Sequence, residues 1–304
     1  ATIIPYPMAI INHPVCPGCG SSSIRQQFAA EDFTVSHQLF NIWECGACSL
    51  RFTQDIPDIA GIGKYYQADA YVSHTDTKEG LVNRLYHFVR KRTLRKKAAL
   101  LRQQTGLSTG ALLDIGAGTG AFANAMQKAG WRVTALEPDS DTRQRAKELY
   151  GLAILPADAL YQLPAESFDA ITLWHVLEHV HDLHGYIKQI KQLLKPGGCL
   201  FIAVPNYTSY DAGYYRQFWA AYDVPRHLYH FSPVAMSRLL QQYQLSITGC
   251  RPMWFDSFYV SMLSWSYKTG HNNILRASWI GLLSNIRTVF NRQRCSSLIY
   301  VVRK

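Results

Sequence analysis

Four cysteines stand in two C-x-x-C pairs, Cys16-Pro-Gly-Cys19 and Cys45-Gly-Ala-Cys48, with 25 residues between them. Glycine inside each pair lets the backbone turn so that amides approach the sulfurs, and two such knuckles make a tetrahedral thiolate site. Zinc is the expected ion. Rubredoxin-like iron is the other metal reading, and two disulfides do not suit a reducing compartment. A second group is the turn D-I-G-A-G-T-G at Asp114–Gly120. Its glycines permit unusual dihedrals and let a nucleotide-like ligand lie against the backbone. Gly116, Gly118 and Ala121 satisfy the dinucleotide pattern G-x-G-x-x-G/A, with Glu137 about where a ribose-binding acid belongs. A third group is "WHVLEHV", in which His175, Glu178 and His179 share one face if the turn is helical. A neutral His175 imidazole can take a proton near pH 7 as general base, with Glu178 orienting it.

The stretch 205–232 is a fourth source of polar side chains. Tyr207, Tyr222, Asp223, Arg226, His227 and His230 supply aromatic walls and hydrogen-bonding groups, as long loops over strand ends commonly do. Arg226 either forks onto a phosphate or carboxylate or pairs with Asp223. His227 divides between a functional and a structural reading, and His230 is read as structural. His181 and His184 are expected at the surface.

The elements that must position these groups alternate. Strand patterns cover 111–115, 131–136, 152–155, 168–174, 198–204, 245–250 and 297–302, and helical patterns cover 121–129, 140–149, 183–194 and 233–242. Ser232 and Pro233 mark a helix start as N-cap and first helical residue. Alternation of this kind means an α/β, doubly wound sheet that takes its ligand beyond the carboxyl ends of the strands. Upstream, 81–104 reads as a helix with Leu81, Leu85, Phe88 and Val89 on one face and basic residues on the other. The insertion 253–295 contains "ILRASWIGLLSNIRTVFNRQR", an amphipathic basic helix read first as a cover over the acceptor site. Cys199, Cys250 and Cys295 lie in apolar surroundings and read as core.

At 304 residues the chain can bury a sizeable core. No run reaches the ~18 apolar residues that span a bilayer, and the start lacks the basic and apolar regions of a signal peptide. A cytoplasmic location is therefore expected. The net charge of +10 is uneven: 1–79 carries 4 basic and 8 acidic side chains, 80–104 carries 8 and none, and 210–304 carries 11 and 3. Such basic runs are solvated faces or sites for an anionic partner.

Five motifs now stand in one register: Asp114–Gly120, Glu137-Pro138-Asp139, Asp158-Ala159, "FDAITLWHVLEHV" at 168–180 and "LLKPGGCLFIAVPN". Together they resemble class I S-adenosylmethionine-dependent methyltransferases over roughly residues 105–304. The resemblance implies a seven-stranded Rossmann-like sheet whose last strand runs antiparallel. It implies S-adenosylmethionine as cofactor, with Gly116, Ala117, Gly118 and Gly120 at its methionine moiety and Asp114 compensating the ammonium. Glu137, with Pro138 beside it, takes both ribose hydroxyls, Asp158 the adenine amino group and Ala159 the ring; His175 also lines the cofactor site. The N-terminal ribbon followed by "VPRHLYHFSP" (224–233) is similar to zinc-ribbon methyltransferases of bacterial small-molecule and sugar pathways.

The expected organisation is a zinc-ribbon module over 1–55, a linker and basic helix over 56–104, and a methyltransferase domain over 105–304. The expected function is methyl transfer to a small-molecule acceptor, an anionic one included, with His175, Glu178 and His227 as catalytic candidates. Peripheral membrane contact or a lipid substrate, through the amphipathic basic helix of the 253–295 insertion, is the lesser reading of that segment. The alternatives are an RNA methyltransferase gripping through ribbon and basic helix, and a non-catalytic cofactor-binding interaction protein. The N-P-P-Y signature of base-amino methylation is absent, which weighs against RNA.

Overall fold

The computed structural model describes residues 9–66 and 81–304, with side chains in the second stretch from Lys91 onward. The expected apolar face of Leu81, Leu85, Phe88 and Val89, and part of the expected linker, therefore lie outside what is described. In chain order the elements are β1 (Ile10–Ile11), β2 (Ile24–Glu31), β3 (Leu39–Cys45), β4 (Arg51–Thr53), β5 (Ile56–Pro57), α1 (Leu81–Thr105), β6 (Ala111–Ile115), α2 (Ala121–Lys128), β7 (Arg132–Leu136) and α3 (Ser140–Tyr150). There follow β8 (Phe168–Trp174), α4 (Leu183–Leu193), β9 (Leu194–Pro205), α5 (Tyr210–Tyr215), β10 (Tyr229–His230), α6 (Pro233–Gln241), β11 (Ser246–Pro252), α7 (Asp256–Thr269), α8 (Ile274–Phe290) and β12 (Ser297–Arg303).

The larger sheet has the order β11-β12-β9-β8-β6-β7. β6 pairs parallel with β7 and β8, and β8 parallel with β9, while β12 runs antiparallel to both β9 and β11. This is a Rossmann-like sheet of six strands where the resemblance implies seven, and its last strand is antiparallel as expected. β6 is buried at every position, including Asp114, because helices cover both faces of a parallel sheet. Helix α4 shows how they cover it: Leu183, Ile187, Ile190 and Leu193 recur on one face and are buried.

The expected strand at 152–155 is where sequence and structure part. Only Leu155 bridges Leu136, with Leu155 N donating to the Ala135 oxygen and Glu137 N to the Leu155 oxygen, both at 2.9 Å. Pro156 follows at once and has no N–H to extend the ladder, so an edge strand cannot grow there. Helix starts fall where the sequence puts them: Asp139, Asp182 and Ser232 each cap a helix through a side-chain oxygen.

The four N-terminal cysteines belong to a second, antiparallel sheet of order β10-β4-β3-β2. Its edge strand β10 comes from residues 229–230, with Tyr229 opposite Phe52 and His230 opposite Arg51. Leu50, Phe52 and Ile56 share one apolar core with Leu228, Tyr229, Phe231 and Met236. His181 and His184, expected at the surface, are half-buried at this seam: His181 Nε2 lies 3.0 Å from the Pro57 oxygen and His184 Nε2 2.8 Å from the Pro17 oxygen.

Candidate active site

The glycine turn leaves the carboxyl end of β6. Gly116, Gly118 and Gly120 all have positive φ, at 67°, 55° and 78°, a region that strains other residues. Their surroundings differ. A Cβ on Gly116 would lie 2.4 Å from Val176 Cγ2 and one on Gly120 2.6 Å from Leu152 Cδ1, whereas one on Gly118 would meet nothing within 4 Å. Gly116 and Gly120 are therefore needed for packing, and Gly118 faces open space. Ala117 N donates to the Leu136 oxygen at 2.9 Å, which ties the turn to β7.

Two carboxylates flank that space. Glu137 is buried, and its Oε2 accepts from Gly118 N at 2.9 Å while Oε1 accepts from Asp139 N at 3.2 Å. Burial pushes its carboxyl up against those two hydrogen bonds. Asp114 is 1 % exposed; its Oδ1 accepts from Thr172 Oγ1 at 2.7 Å, and its Oδ2 is buried with no hydrogen-bond partner among the described residues. Burial lifts Asp114 to about 7, opposed by Thr172 and by the Lys97 ammonium. An unpaired buried carboxylate oxygen is costly, so the site fits a ligand that brings a cation. Pro138 is exposed beyond Glu137, Asp158 is exposed in the turn Ala157–Gln162, and Ala159 packs against the core.

His175 follows β8 at a positive φ of 59°, next to the Val176 that packs on Gly116. Its ring lies between two carboxylates, Nδ1 3.3 Å from Glu178 Oε1 and Nε2 3.3 Å from Asp256 Oδ2. Burial alone would lower its pKa, but the carboxylates of Asp256 and Glu178 beside the ring win and raise it to about 9. The two carboxylates favour the imidazolium form of the ring, which runs against the expectation of a neutral imidazole near pH 7. Glu178 is fully buried; burial would raise it, yet His175, His227 and His179 hold it below the usual range. His179 behind it is drawn down to about 4, mainly by burial. Donor atoms of Glu178, His179 and His227 lie within 4.8 Å of one another, a spacing that could also hold a cation.

Lys97 of α1 was not anticipated here. It is half-buried, with its ammonium 4.1 Å from the centre of the Trp174 ring. Burial lowers it to about 8 against the pull of Asp114 and Asp256. Asp256, at the start of α7, was missed as well. Each left a trace in the sequence: Lys97 interrupts the apolar series Leu94, Ala98, Leu101, and Asp256 is the last acidic residue of a basic stretch. A cleft of about 350 Å³ adjoins both, lined by Lys96, Arg251, Met253, Trp254 and Phe255 among others.

The 205–232 loop is more structural than the sequence suggests. Arg226 is 1 % exposed, and its fork binds Asp223 at 2.5 and 3.0 Å, Asp32 at 3.3 Å and the Tyr65 oxygen at 2.8 Å. It has no free edge for a substrate phosphate. His227 Nδ1 lies 2.8 Å from the Ala221 oxygen and its ring meets His179 edge-on at 4.6 Å. His230 is buried against Thr53 Oγ1 at 3.1 Å, and burial drives its pKa well down. Tyr207 and Tyr222 enclose Arg51, the first as a ring face 4.2 Å away, the second as acceptor at 2.8 Å.

At the other site, the Cys16 and Cys48 sulfurs are 3.6 Å apart, as are those of Cys19 and Cys45, and all four lie within 4.8 Å of one another. A tetrahedron with metal–sulfur bonds of about 2.3 Å has edges of roughly 3.8 Å. The four thiols could therefore bind zinc, and the Gly18 amide already donates to the Cys16 sulfur at 3.4 Å.

With sheet order, glycine turn and paired acids in place, comparison gives the class. A family model described as "Methyltransferase domain" matches residues 85–248, more than half of the chain. The chain belongs to that family and carries a class I S-adenosylmethionine-dependent methyltransferase domain. Among curated relatives it is similar to "Ubiquinone biosynthesis O-methyltransferase" of Methylocella silvestris, 35% identical over 32% of this chain and 40% of the relative. The same-named protein of Histophilus somni is 38% identical over 35% and 50%. The mitochondrial human protein of that name is 27% identical over 53% and 48%. The chain thus spans about half the length of these relatives. Among solved structures, a SAM-dependent methyltransferase from Archaeoglobus fulgidus aligns with TM-score 0.46 at 18% identity over 72% of this chain and all of that one. Burkholderia thailandensis 1,6-didemethyltoxoflavin-N1-methyltransferase aligns with TM-score 0.46 at 17% identity over 90% and 99%.

Proposed function

We propose that the chain moves a methyl group from S-adenosylmethionine to a hydroxyl oxygen of a small, anionic acceptor. The observation that carries this reading is His175, held between Glu178 and Asp256 beside the glycine turn. The neighbouring cleft, with Lys96 and Arg251 in its lining, offers cations to the acceptor. The names of the relatives agree with oxygen as the acceptor atom.

Asp114 Oδ2 takes the ammonium of the cofactor, and Glu137 keeps an unused lone pair on each oxygen for the ribose hydroxyls. Gly116, Ala117 and Gly118 let the methionine part lie against backbone, Gly120 shapes the turn, and Pro138, Asp158 and Ala159 edge the nucleoside. When bound, the cofactor supplies a methyl group on a sulfonium, which leaves as a neutral thioether. In its neutral form, whose share grows as pH rises toward 9, His175 accepts the hydroxyl proton, and Glu178 and Asp256 stabilise the imidazolium that results. Positioning supplies most of the remaining rate. His227, with His179, fixes Glu178 from behind. In the same reading zinc in the Cys16, Cys19, Cys45 and Cys48 site is structural. The module over 1–55, the connection over 56–104 and the catalytic domain over 105–304 then form one working unit.

The test is calorimetric titration of the zinc-loaded chain with S-adenosylhomocysteine, with NAD as the paired control. Binding of the homocysteine alone is expected. Binding of NAD alone would return the turn to its dinucleotide reading and end this proposal.

A further inference from the structure

The hairpin α7–α8 is amphipathic in the inverted sense. Helix α8 turns Ala277, Gly281, Ser284 and Thr288 inward, all of them buried, and α7 turns Ser257, Ser261 and Ser264 inward. The seam is tight: a Cβ added to Gly281 would lie 3.0 Å from Phe258 Cα and from the Ser257 oxygen. Two of the hydroxyls there find partners, Ser284 Oγ on Asp211 Oδ1 at 2.6 Å and Ser264 Oγ on the Val260 oxygen at 2.7 Å. Ile280 is buried beside them and Leu283 packs against the same core, but most of the large apolar side chains of α8 face out. Leu275 is 84 % exposed, Trp279 58 %, Val289 69 % and Phe290 85 %, with Leu282 and Ile286 between them. At 100° per residue these six fall within an arc of about 100° on α8. A water-facing helix would place its apolar and small polar residues the other way round.

Charge says what covers this stripe. Residues 257–304 contain seven Lys and Arg and no Asp or Glu. Arg276 and Arg287 border the stripe and rest on aromatic faces, Arg276 over Trp265 at 5.8 Å and Arg287 over Tyr210 at 5.4 Å. A second copy would bring no acidic side chain from 257–304 to meet the arginines on this flank of the stripe, whereas an anionic bilayer complements apolar stripe and cations together. We propose that α8 lies in the interface of an anionic membrane, its stripe in the acyl boundary and its arginines at the headgroups. No helix among the described residues is long and apolar enough to cross a membrane, so this is a surface contact. It does not depend on the identity of the methyl acceptor.

The experiment is co-sedimentation of the full, zinc-loaded chain with vesicles of phosphatidylcholine alone and of phosphatidylcholine with phosphatidylglycerol, paired with sedimentation velocity without lipid. The variants are Leu275→Glu with Trp279→Glu, and Arg276→Glu with Arg287→Glu, all exposed positions outside the cofactor site. Expected is binding to the phosphatidylglycerol vesicles that weakens with salt. The apolar pair should lose roughly ten- to a hundredfold of it while S-adenosylhomocysteine affinity stays unchanged. Absence of binding to anionic vesicles would overturn the proposal, as would equal binding to phosphatidylcholine alone or wild-type binding by the arginine variant. A dimer without lipid that Leu275→Glu and Trp279→Glu dissociates would also overturn it, by giving the stripe to a second copy.

Discussion

Gly118 separates a ligand contact from a packing requirement at the scale of one residue. Gly118→Val should abolish S-adenosylhomocysteine binding, measured by calorimetry, at a stability cost of about 1–3 kcal/mol from its positive φ. Gly116→Ala adds the 2.4 Å contact with Val176 to the same strain and should destabilise more, read as the larger fall in Tm. Asp114 yields a pH prediction. Its folded pKa, about 7, is above its ordinary 3.8, so neutral Asp114 favours the fold below 3.8 and that contribution is lost as pH rises through 7. The carboxylate is the form that pairs with an ammonium, so cofactor affinity should climb across pH 7, and Asp114→Asn should flatten that climb. His175 is raised from 6.5 to about 9; its stabilising ion pairs are complete below 6.5 and lost as pH rises through 9. As the base it must be neutral, so turnover should increase toward pH 9. Asp256→Asn should move that limb to lower pH, and an unmoved limb would remove Asp256 as the residue that tunes His175.

The informative element is β10. A two-residue strand from the catalytic half completes the cysteine-bearing sheet, and Thr53 Oγ1 of β4 donates to the His227 oxygen at 2.7 Å. Damage to the four-cysteine cluster should therefore reach the loop behind Glu178. Chelation, or Cys45→Ser, should lower Tm by several degrees and reduce turnover more than cofactor affinity, since structural zinc is folding free energy. Unchanged thermal melts after complete metal removal would deny zinc a structural role. The same joint explains why Arg226 is not a substrate ligand. It sits where β10, the N-terminal sheet and Tyr65 meet, and the buried guanidinium needs all of its acceptors there.

For the whole molecule, the N-terminal sheet and the catalytic sheet share one core, with Leu50, Phe52 and Ile56 packed among Leu228, Phe231 and Met236. A chain beginning at residue 81 would expose that surface, and its expected behaviour is aggregation instead of a soluble monomer with cofactor affinity. Size-exclusion chromatography decides this, and a monodisperse truncated chain that binds S-adenosylhomocysteine would show the module to be dispensable. The uneven charge has its counterpart at the same scale. Cations of α1 line the cleft beside the site, while those of 257–304 border the outward stripe of α8.

Much of this was legible along the chain because it depends on local physics. Alternating apolar runs and capping residues specify β6–β9 and α2–α4 to within a residue or two at most ends, apart from the Leu194–Gly197 extension of β9. The glycines of the turn are legible because their positive φ and close packing at Gly116 and Gly120 leave little room for another residue. The partners of those residues were not legible: Asp256 and Lys97 reach the site from elements far away in sequence, and no spacing rule connects positions 97, 114, 175 and 256. The same holds for β10, whose two residues become a strand only because β4 offers an open edge. Periodicity could show that α8 is amphipathic, but not which face it buries. Tertiary packing decided that, because Gly281 and the serines allow an approach that Leu275 and Trp279 would block.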